Sequence, residues 1–250
     1  MKPELRALLF DFDGTIAETE RHGHRVAYQA AFDELGLGWK WDEDLYGELL
    51  AVAGGKERLT HFIRERNAQL PVDWEIETLV ATIHEMKRER FSEIAPSIPL
   101  RPGVARLINE AKAAGLRVAV ATTAAPEGVD ALLEHHRHEL AAIDLVAAGD
   151  IVESKKPAPD IYLFALEALG LQSSEAVAIE DSAIGVRAAR AAGIPVVVTR
   201  SSYTLDEDFT GADAVFDDLG EPDAPARVVR GKAPPGGVVD LAYLRSLTGA

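Results

Sequence analysis

Short apolar runs that end on polar residues alternate, along most of the chain, with stretches of helical period. The first run reaches Phe10 through Leu8 and Leu9 and stops on Asp11-Phe12-Asp13-Gly14, which predicts a buried strand. Residues 102–115 carry apolar positions at helical spacing with a glycine stop, and Arg117–Ala121 follows as a strand. The same unit recurs at 158–170 leading to 176–179, and at 184–193 leading to 195–199; 143–148 and 214–216 are further strand candidates. Helix, glycine, apolar strand is the rhythm of a parallel sheet wound by helices, so the expected fold is a three-layer, doubly wound α/β core.

The interval between the first strand and Pro102 has a different character. It is charged and amphipathic, with helical period in stretches such as ERLTHFIRER, and it lacks any strand signal. The predicted organisation is therefore a core of residues 1–19 and 96–220, an inserted α-helical domain of 20–95, and a tail of 221–250. The prolines and the Pro234-Pro235-Gly236-Gly237 turn of the tail predict a loosely packed appendage.

Composition narrows the function. Hydrophobic residues make up 47% and charged residues 27% of 250, the balance of a chain that folds around a core. No apolar run approaches the roughly 18 residues of a membrane helix, and no signal peptide is visible at the N-terminus. There is no cysteine, which excludes disulfides, thiolate metal sites and cysteine nucleophiles and fits a cytoplasmic protein. Lys plus Arg number 26 against 41 Asp plus Glu, a net −15, so the field opposes nucleic acid and anionic membranes. A phosphorylated substrate would meet the same opposition unless a metal ion or a few basic side chains concentrate positive charge locally.

In an open parallel sheet ligands bind at the carboxyl ends of the strands. The predicted ends deliver Asp11 and Asp13, then Thr122 and Thr123, then Lys155 and Lys156 after a short loop, then Glu180 and Asp181. This set suits phosphoryl transfer. Carboxylates are the preferred ligands of Mg²⁺, one can attack phosphorus, a second can move the leaving-group proton, and Thr and Lys can hold the phosphoryl oxygens. Taken alone, Asp181 reads equally well as the cap of the helix that follows it.

DFDGT, the threonine after RVAVA, the lysine of KKPAPDIY and IEDS together resemble the four motifs of the haloacid dehalogenase superfamily, over roughly residues 5–220. The resemblance implies a Rossmann-like core with a helical cap, Asp11 as nucleophile, Asp13 as general acid and base, and Thr122 and Lys156 as phosphoryl ligands. It also implies Mg²⁺ held by Asp11, the Asp13 carbonyl and Asp181, with Glu180 contributing. An acid at Asp13 points away from the dehalogenases and phosphonatases of that superfamily.

Further segments, ETE, WDEDLYGELL, GGKER, LRPGV and AGD, resemble the CbbY branch, which implies a xylulose-1,5-bisphosphate phosphatase of the Calvin cycle. On that resemblance Glu20, His24, Tyr46, Gly55, Lys56 and Arg58 contact the sugar or its second phosphate, with Thr123 in the core. Gly54-Gly55-Lys56 by itself reads as a turn entering a helix. The expected partner is a small phosphorylated sugar, with no obligate protein partner. The rival expectations are a sugar phosphomutase of the same superfamily and, more remotely, a phospho-aspartate receiver domain. His135, His136 and His138 fall on the polar end of a helix, and Trp39, Trp41 and Trp74 are expected to pack the insert.

Overall fold

The computed structural model describes residues 4–52 and 54–248; the extreme ends of the predicted core and tail, 1–3 and 249–250, lie outside the described residues. Two compact units are present, one formed by the chain up to Glu18 and from Pro99 onward, the other by Thr19–Ile98.

The smaller unit is helical. A π-helical turn, Glu20–His24, runs into α1 (Arg25–Glu34) and is followed by α2 (Glu43–Leu49), α3 (Gly55–Glu65) and α4 (Ile76–Ile94). Asp42 caps α2 by accepting from the Leu45 N–H, which is the ordinary chemistry of an Asp before a helix. Trp39 and Trp41 are 7% and 1% exposed and stand edge-on to Phe32 and Phe62, with centroids 5.0–5.5 Å apart. They fill the interior of this unit. α1 packs against α4, and Gly23 just before α1 lets the Phe91 ring approach: a Cβ there would lie 2.5 Å from it.

The larger unit is a seven-stranded sheet. Its strands are β1 (Ala7–Phe10), β2 (Arg117–Ala121), β3 (Leu145–Ala147), β4 (Ala176–Glu180), β5 (Val196–Thr199), β6 (Ala214–Phe216) and β7 (Val228–Arg230). They lie in the order β3-β2-β1-β4-β5-β6-β7, parallel except for β7. β1 and β4 are buried along their whole length, as expected of strands covered on both faces. Leu9, Ala119, Ala121, Ala178, Val196 and Val198 pack on one face with α7 (Asp160–Leu169) and α8 (Ala183–Ala191). Alternate residues such as Leu8, Phe10, Val120 and Ile179 point to the other face, where α5 (Val104–Ala113) lies on β2 and α9 (Leu241–Leu247) on α5. α6 (Pro126–His135) follows β2. The result is the three-layer, doubly wound α/β arrangement.

The tail is not loose. β7 adds an antiparallel strand to the sheet edge, the Ala226 N–H donates to the Gly237 carbonyl at 2.8 Å, and the Val239 N–H donates to Leu219 at 2.9 Å. Arg106 clamps the carbonyls of Leu219, Gly220 and Val239. The Pro-Gly stretch is a turn, with Gly236 and Gly237 at φ 67° and 70°, that returns the chain so Leu241, Tyr243 and Leu244 are buried. Among the described residues no helix is long and apolar enough to cross a membrane.

Candidate active site

Strand order decides which strand ends become neighbours. After β1 the chain adds β2 and β3 on one side, then crosses to lay β4 on the other, so β1 lies at the switch point of the topology. Phe10 is in register with Val120 of β2 and with Ile179 of β4. The next residue, Asp11, is tied to β4 by its N–H on the Ile179 carbonyl, 2.9 Å, and Glu180 and Asp181 follow directly. Thr122 is fixed the same way on the β3 side, its N–H donating to Ala147 at 2.9 Å.

Asp11, Glu180 and Asp181 bring carboxylate oxygens within 4.8 Å of one another, and all three residues are buried. Lys156 enters from the loop ahead of α7, and its Nζ donates to Asp11 Oδ1 and to Glu180 Oε1, 2.6 Å each. The same Glu180 oxygen accepts from the Tyr162 hydroxyl at 2.5 Å, and the Lys156 ammonium lies 5.0 Å from the Tyr162 ring centroid. Two glycines make this density possible. A Cβ on Gly14 would lie 2.2 Å from Asp181 Oδ2, and Gly14 also sits at φ 77°. A Cβ on Gly185, in the first turn of α8, would lie 1.9 Å from Glu180 Oε2.

Asp181 does not cap α8. That position belongs to Ser182, whose Oγ accepts from the Gly185 N–H at 3.1 Å, and Asp181 points instead into the carboxylate cluster with Ser201 as its hydrogen-bond partner. Asp13 is half-buried in the turn after β1, Thr122 is buried with its Oγ1 accepting from the Ala124 N–H at 3.1 Å, and Thr123 is half-buried beside it. Tyr162, Arg101, Ser201 and the two glycines take part in this neighbourhood without a role having been expected of them, although Gly14, Tyr162 and Arg101 lie inside the segments DFDGT, KKPAPDIY and LRPGV. For Tyr162 the one available signal is its place six residues after Lys156, on the first turn of a helix.

The electrostatics follow from the crowding. Burial, together with the charges of Glu180 and Asp13, pushes the Asp11 carboxyl up to about 7, against the pull of Lys156. Burial, then Asp11 and Glu180, holds Asp181 well above the usual carboxylate range. Burial opposes the Lys156 ammonium, yet Asp11 and Glu180 outweigh it and raise its pKa. Three buried carboxylates facing one ammonium are short of positive charge, and their donors are hard oxygens, so the set fits Mg²⁺.

In the helical unit Tyr46 donates to Glu20 Oε2 at 2.5 Å, and Arg58 donates to the Tyr46 hydroxyl at 3.3 Å and to the Leu49 carbonyl at 3.2 Å. Burial and the Glu20 charge raise the Tyr46 pKa, which keeps the hydroxyl a donor. Gly55 opens α3 against the Tyr28 hydroxyl, which donates to its carbonyl at 3.2 Å, and Lys56 beside it is exposed. The His24 ring lies against that of Phe91, with centroids 3.9 Å apart.

The chain matches the model of the haloacid dehalogenase-like hydrolase family over residues 5–193. It is 47% identical over 228 residues to the plasmid protein CbbY of Cupriavidus necator, covering 88% of each chain. It is 46% identical over 225 residues to the CBBY-like protein of Arabidopsis thaliana, covering 86% of this chain and 70% of that one. Among solved structures it is similar to a mutant of CbbY from Rhodobacter sphaeroides in complex with xylulose-(1,5)bisphosphate, with a TM-score of 0.76 and 45% identity over 86% of this chain and 94% of that one.

Proposed function

The chain belongs to the haloacid dehalogenase-like hydrolase family, and from that premise we propose that it is a Mg²⁺-dependent phosphatase that converts xylulose 1,5-bisphosphate to xylulose 5-phosphate through an aspartyl-phosphate. The observation that carries the reaction class is the Lys156 bridge between Asp11 and Glu180, at 2.6 Å to each, beside Asp181. The substrate is drawn from the Rhodobacter sphaeroides relative bound to that bisphosphate.

In this reading an oxygen of Asp11 attacks phosphorus while the bond to the sugar oxygen breaks, and Asp13 gives its proton to the departing alkoxide. Asp13 then takes a proton from a water that attacks the phosphoryl group and frees Asp11. Lys156 pairs with the equatorial oxygens, and Glu180, with Tyr162, holds Lys156 in place. The Thr122 hydroxyl donates to the same oxygens, with Thr123 next to it. Asp11, Asp181 and the Asp13 carbonyl would hold Mg²⁺, which supplies charge stabilisation for the moving phosphoryl group. Glu20 and Tyr46 recognise sugar hydroxyls, and Lys56, the Gly55 N–H and Arg58 take the second phosphate.

The test is phosphate release from a panel of sugar mono- and bisphosphates with Mg²⁺ and with excess EDTA. The expected result is preferential hydrolysis of xylulose 1,5-bisphosphate that EDTA stops. Full activity in EDTA removes the metal, equal rates on monophosphates remove the bisphosphate, and conversion to an isomeric monophosphate without phosphate release indicates a mutase.

A further inference from the structure

Arg101 lies between Pro99 and Pro102 and is 8% exposed, an unusual burial for a guanidinium. Its Nη1 donates to the Gly14 carbonyl and, at 3.3 Å, to that of Thr199; its Nη2 donates to Arg200 at 2.7 Å and to Asp217 at 2.6 Å. Three loops at the carboxyl edge of the sheet, after β1, β5 and β6, are thus joined through one cation. The backbone of Arg101 grips the first of them again, its N–H donating to the Ile16 carbonyl at 2.8 Å. The only carboxylate in ion-pair range of it among the described residues is Glu18 at 3.6 Å, whose other oxygen accepts from Ser202 Oγ at 3.1 Å.

One of the four side-chain bonds, to Gly14, and the main-chain bond to Ile16 fall on the turn that carries Asp13; the other three anchor the guanidinium to the loops after β5 and β6. Within that turn the Gly14 N–H donates to Ala17 and the Thr15 and Ile16 N–H groups to Phe12, while Arg101 holds the Gly14 and Ile16 carbonyls from outside. The backbone on either side of Asp13 is therefore fixed by the turn and by one external side chain. Burying a cation is costly unless its donors are satisfied; here main-chain carbonyls satisfy it, in a fork geometry that a lysine cannot reproduce.

We infer that Arg101 is a positioning residue for the leaving-group acid: by tying the Gly14 carbonyl, next to Asp13, to the loops after β5 and β6, its side chain sets where the Asp13 carboxyl stands when the sugar oxygen departs. The inference rests on the reading of Asp13 given above. It separates from a general scaffolding role through the leaving group. An alkoxide needs the Asp13 proton, whereas p-nitrophenolate leaves without one, so a misplaced acid slows the leaving-group step of alkyl phosphates selectively, while the later attack of water on the aspartyl-phosphate is common to both.

The experiment compares Arg101→Met and Arg101→Lys with wild type and Asp13→Asn, after thermal unfolding has established that each is folded at the assay temperature. For xylulose 1,5-bisphosphate kcat/KM is expected to fall at least about tenfold in the Arg101 variants, and for p-nitrophenyl phosphate to stay within about threefold. This ratio reports the steps up to departure of the leaving group and so omits the later hydrolysis, in which Asp13 serves both substrates as base. The effects of Arg101→Lys and Asp13→Asn on the alkyl substrate should not add. Equal losses on both substrates, no loss on either, or full additivity overturns the inference while leaving Asp13 as the acid, provided Asp13→Asn is itself selective. If Asp13→Asn shows no leaving-group dependence, the reading of Asp13 fails and the role of Arg101 fails with it. Should Arg101→Met not fold, Arg101→Lys decides, since it keeps the charge and loses the fork.

Discussion

Gly185→Ala places a single methyl group against the most constrained carboxylate of the site. Replacing a helical glycine by alanine ordinarily stabilises a protein by roughly 0.4–1 kcal/mol, through the unfolded chain. At this position the new Cβ would stand 1.9–2.1 Å from the Glu180 carboxylate atoms, against the ~3.5–4.0 Å of ordinary carbon contacts. Glu180 has nowhere to retreat: it is fully buried and holds Lys156 and Tyr162 through one oxygen. Overpacking of this kind costs about 1–3 kcal/mol, which exceeds the propensity gain, so the variant should lose about 1–2 kcal/mol and, at roughly 2–4 °C per kcal/mol for a chain of this size, several degrees of Tm. The same displacement moves Lys156 relative to Asp11, and a shift near 1 Å at a reacting group costs about 100-fold in rate. Denaturant unfolding and steady-state phosphate release measure the two effects. A variant as stable as wild type with kcat within a few-fold would mean that Glu180 is not locked between α8 and Lys156, and the account of Lys156 would fall with it.

Asp11→Asn should abolish turnover in a folded protein, because an amide is neither nucleophile nor hard metal ligand; measurable phosphate release from the purified variant would refute the assignment. Lys156→Met removes the one ammonium shared by Asp11 and Glu180, and leaving buried charge without its partner should cost about 3–5 kcal/mol in denaturant unfolding at pH 8. Lys56→Ala should lower kcat/KM for the bisphosphate about 10- to 150-fold and leave p-nitrophenyl phosphate nearly unchanged; equal effects on both would remove Lys56 from phosphate recognition. The raised Asp11 pKa has a definite sign. Between about pH 4 and 7 Asp11 holds more proton in the folded metal-free protein than in the unfolded chain, so the contribution of this group to stability falls as pH rises through that window. Mg²⁺ competes with that proton, so its apparent affinity should fall up to about tenfold per pH unit below 7, and the Tm gain on adding Mg²⁺ should be larger at pH 8 than at pH 5.5; equal gains would contradict a site built on Asp11.

Residues at strand ends are legible in the sequence because a buried strand is a short apolar run and the polar residue that stops it is the one at the rim. Asp11, Thr122, Glu180 and Asp181 are of this kind, and the order of the strands then brings the carboxylates together. Tyr162 and Arg101 are of another kind. A tyrosine on the inner face of a helix has the same periodicity whether it packs or donates to a carboxylate, and the segment LRPGV carries a resemblance without saying what its arginine binds. Only the tertiary structure tells these apart. The tail fails to read for a third reason: three-residue strands such as β7 have too few positions to show a period, and prolines and glycines that build a return turn look the same as those of a loose coil. Asp181 shows the limit from the other side, since the capping signal it suggests is carried one residue later by Ser182.

Charge balance ties these features to the proposed reaction. The site neighbourhood holds Asp11, Asp13, Glu180 and Asp181 against Lys156 and against Arg101, whose charge is shared with Glu18, in a chain of net −15. A phosphate dianion brought into that set unaided would add two negative charges to a region already in excess of them, at separations where low dielectric makes repulsion strong. Burial first, and the neighbouring carboxylates after it, raise the Asp11 and Asp181 pKa values, so that without further cations these groups favour their protonated, uncharged forms. A protonated Asp11 is no nucleophile. A divalent cation on the Asp11 and Asp181 side, with Lys156 held on the Glu180 side, would let Asp11 ionise and the dianion enter together. Metal, substrate and nucleophile would then be one linked equilibrium, and the same acidity that opposes a phosphate dianion would make the proposed activity depend on the cation.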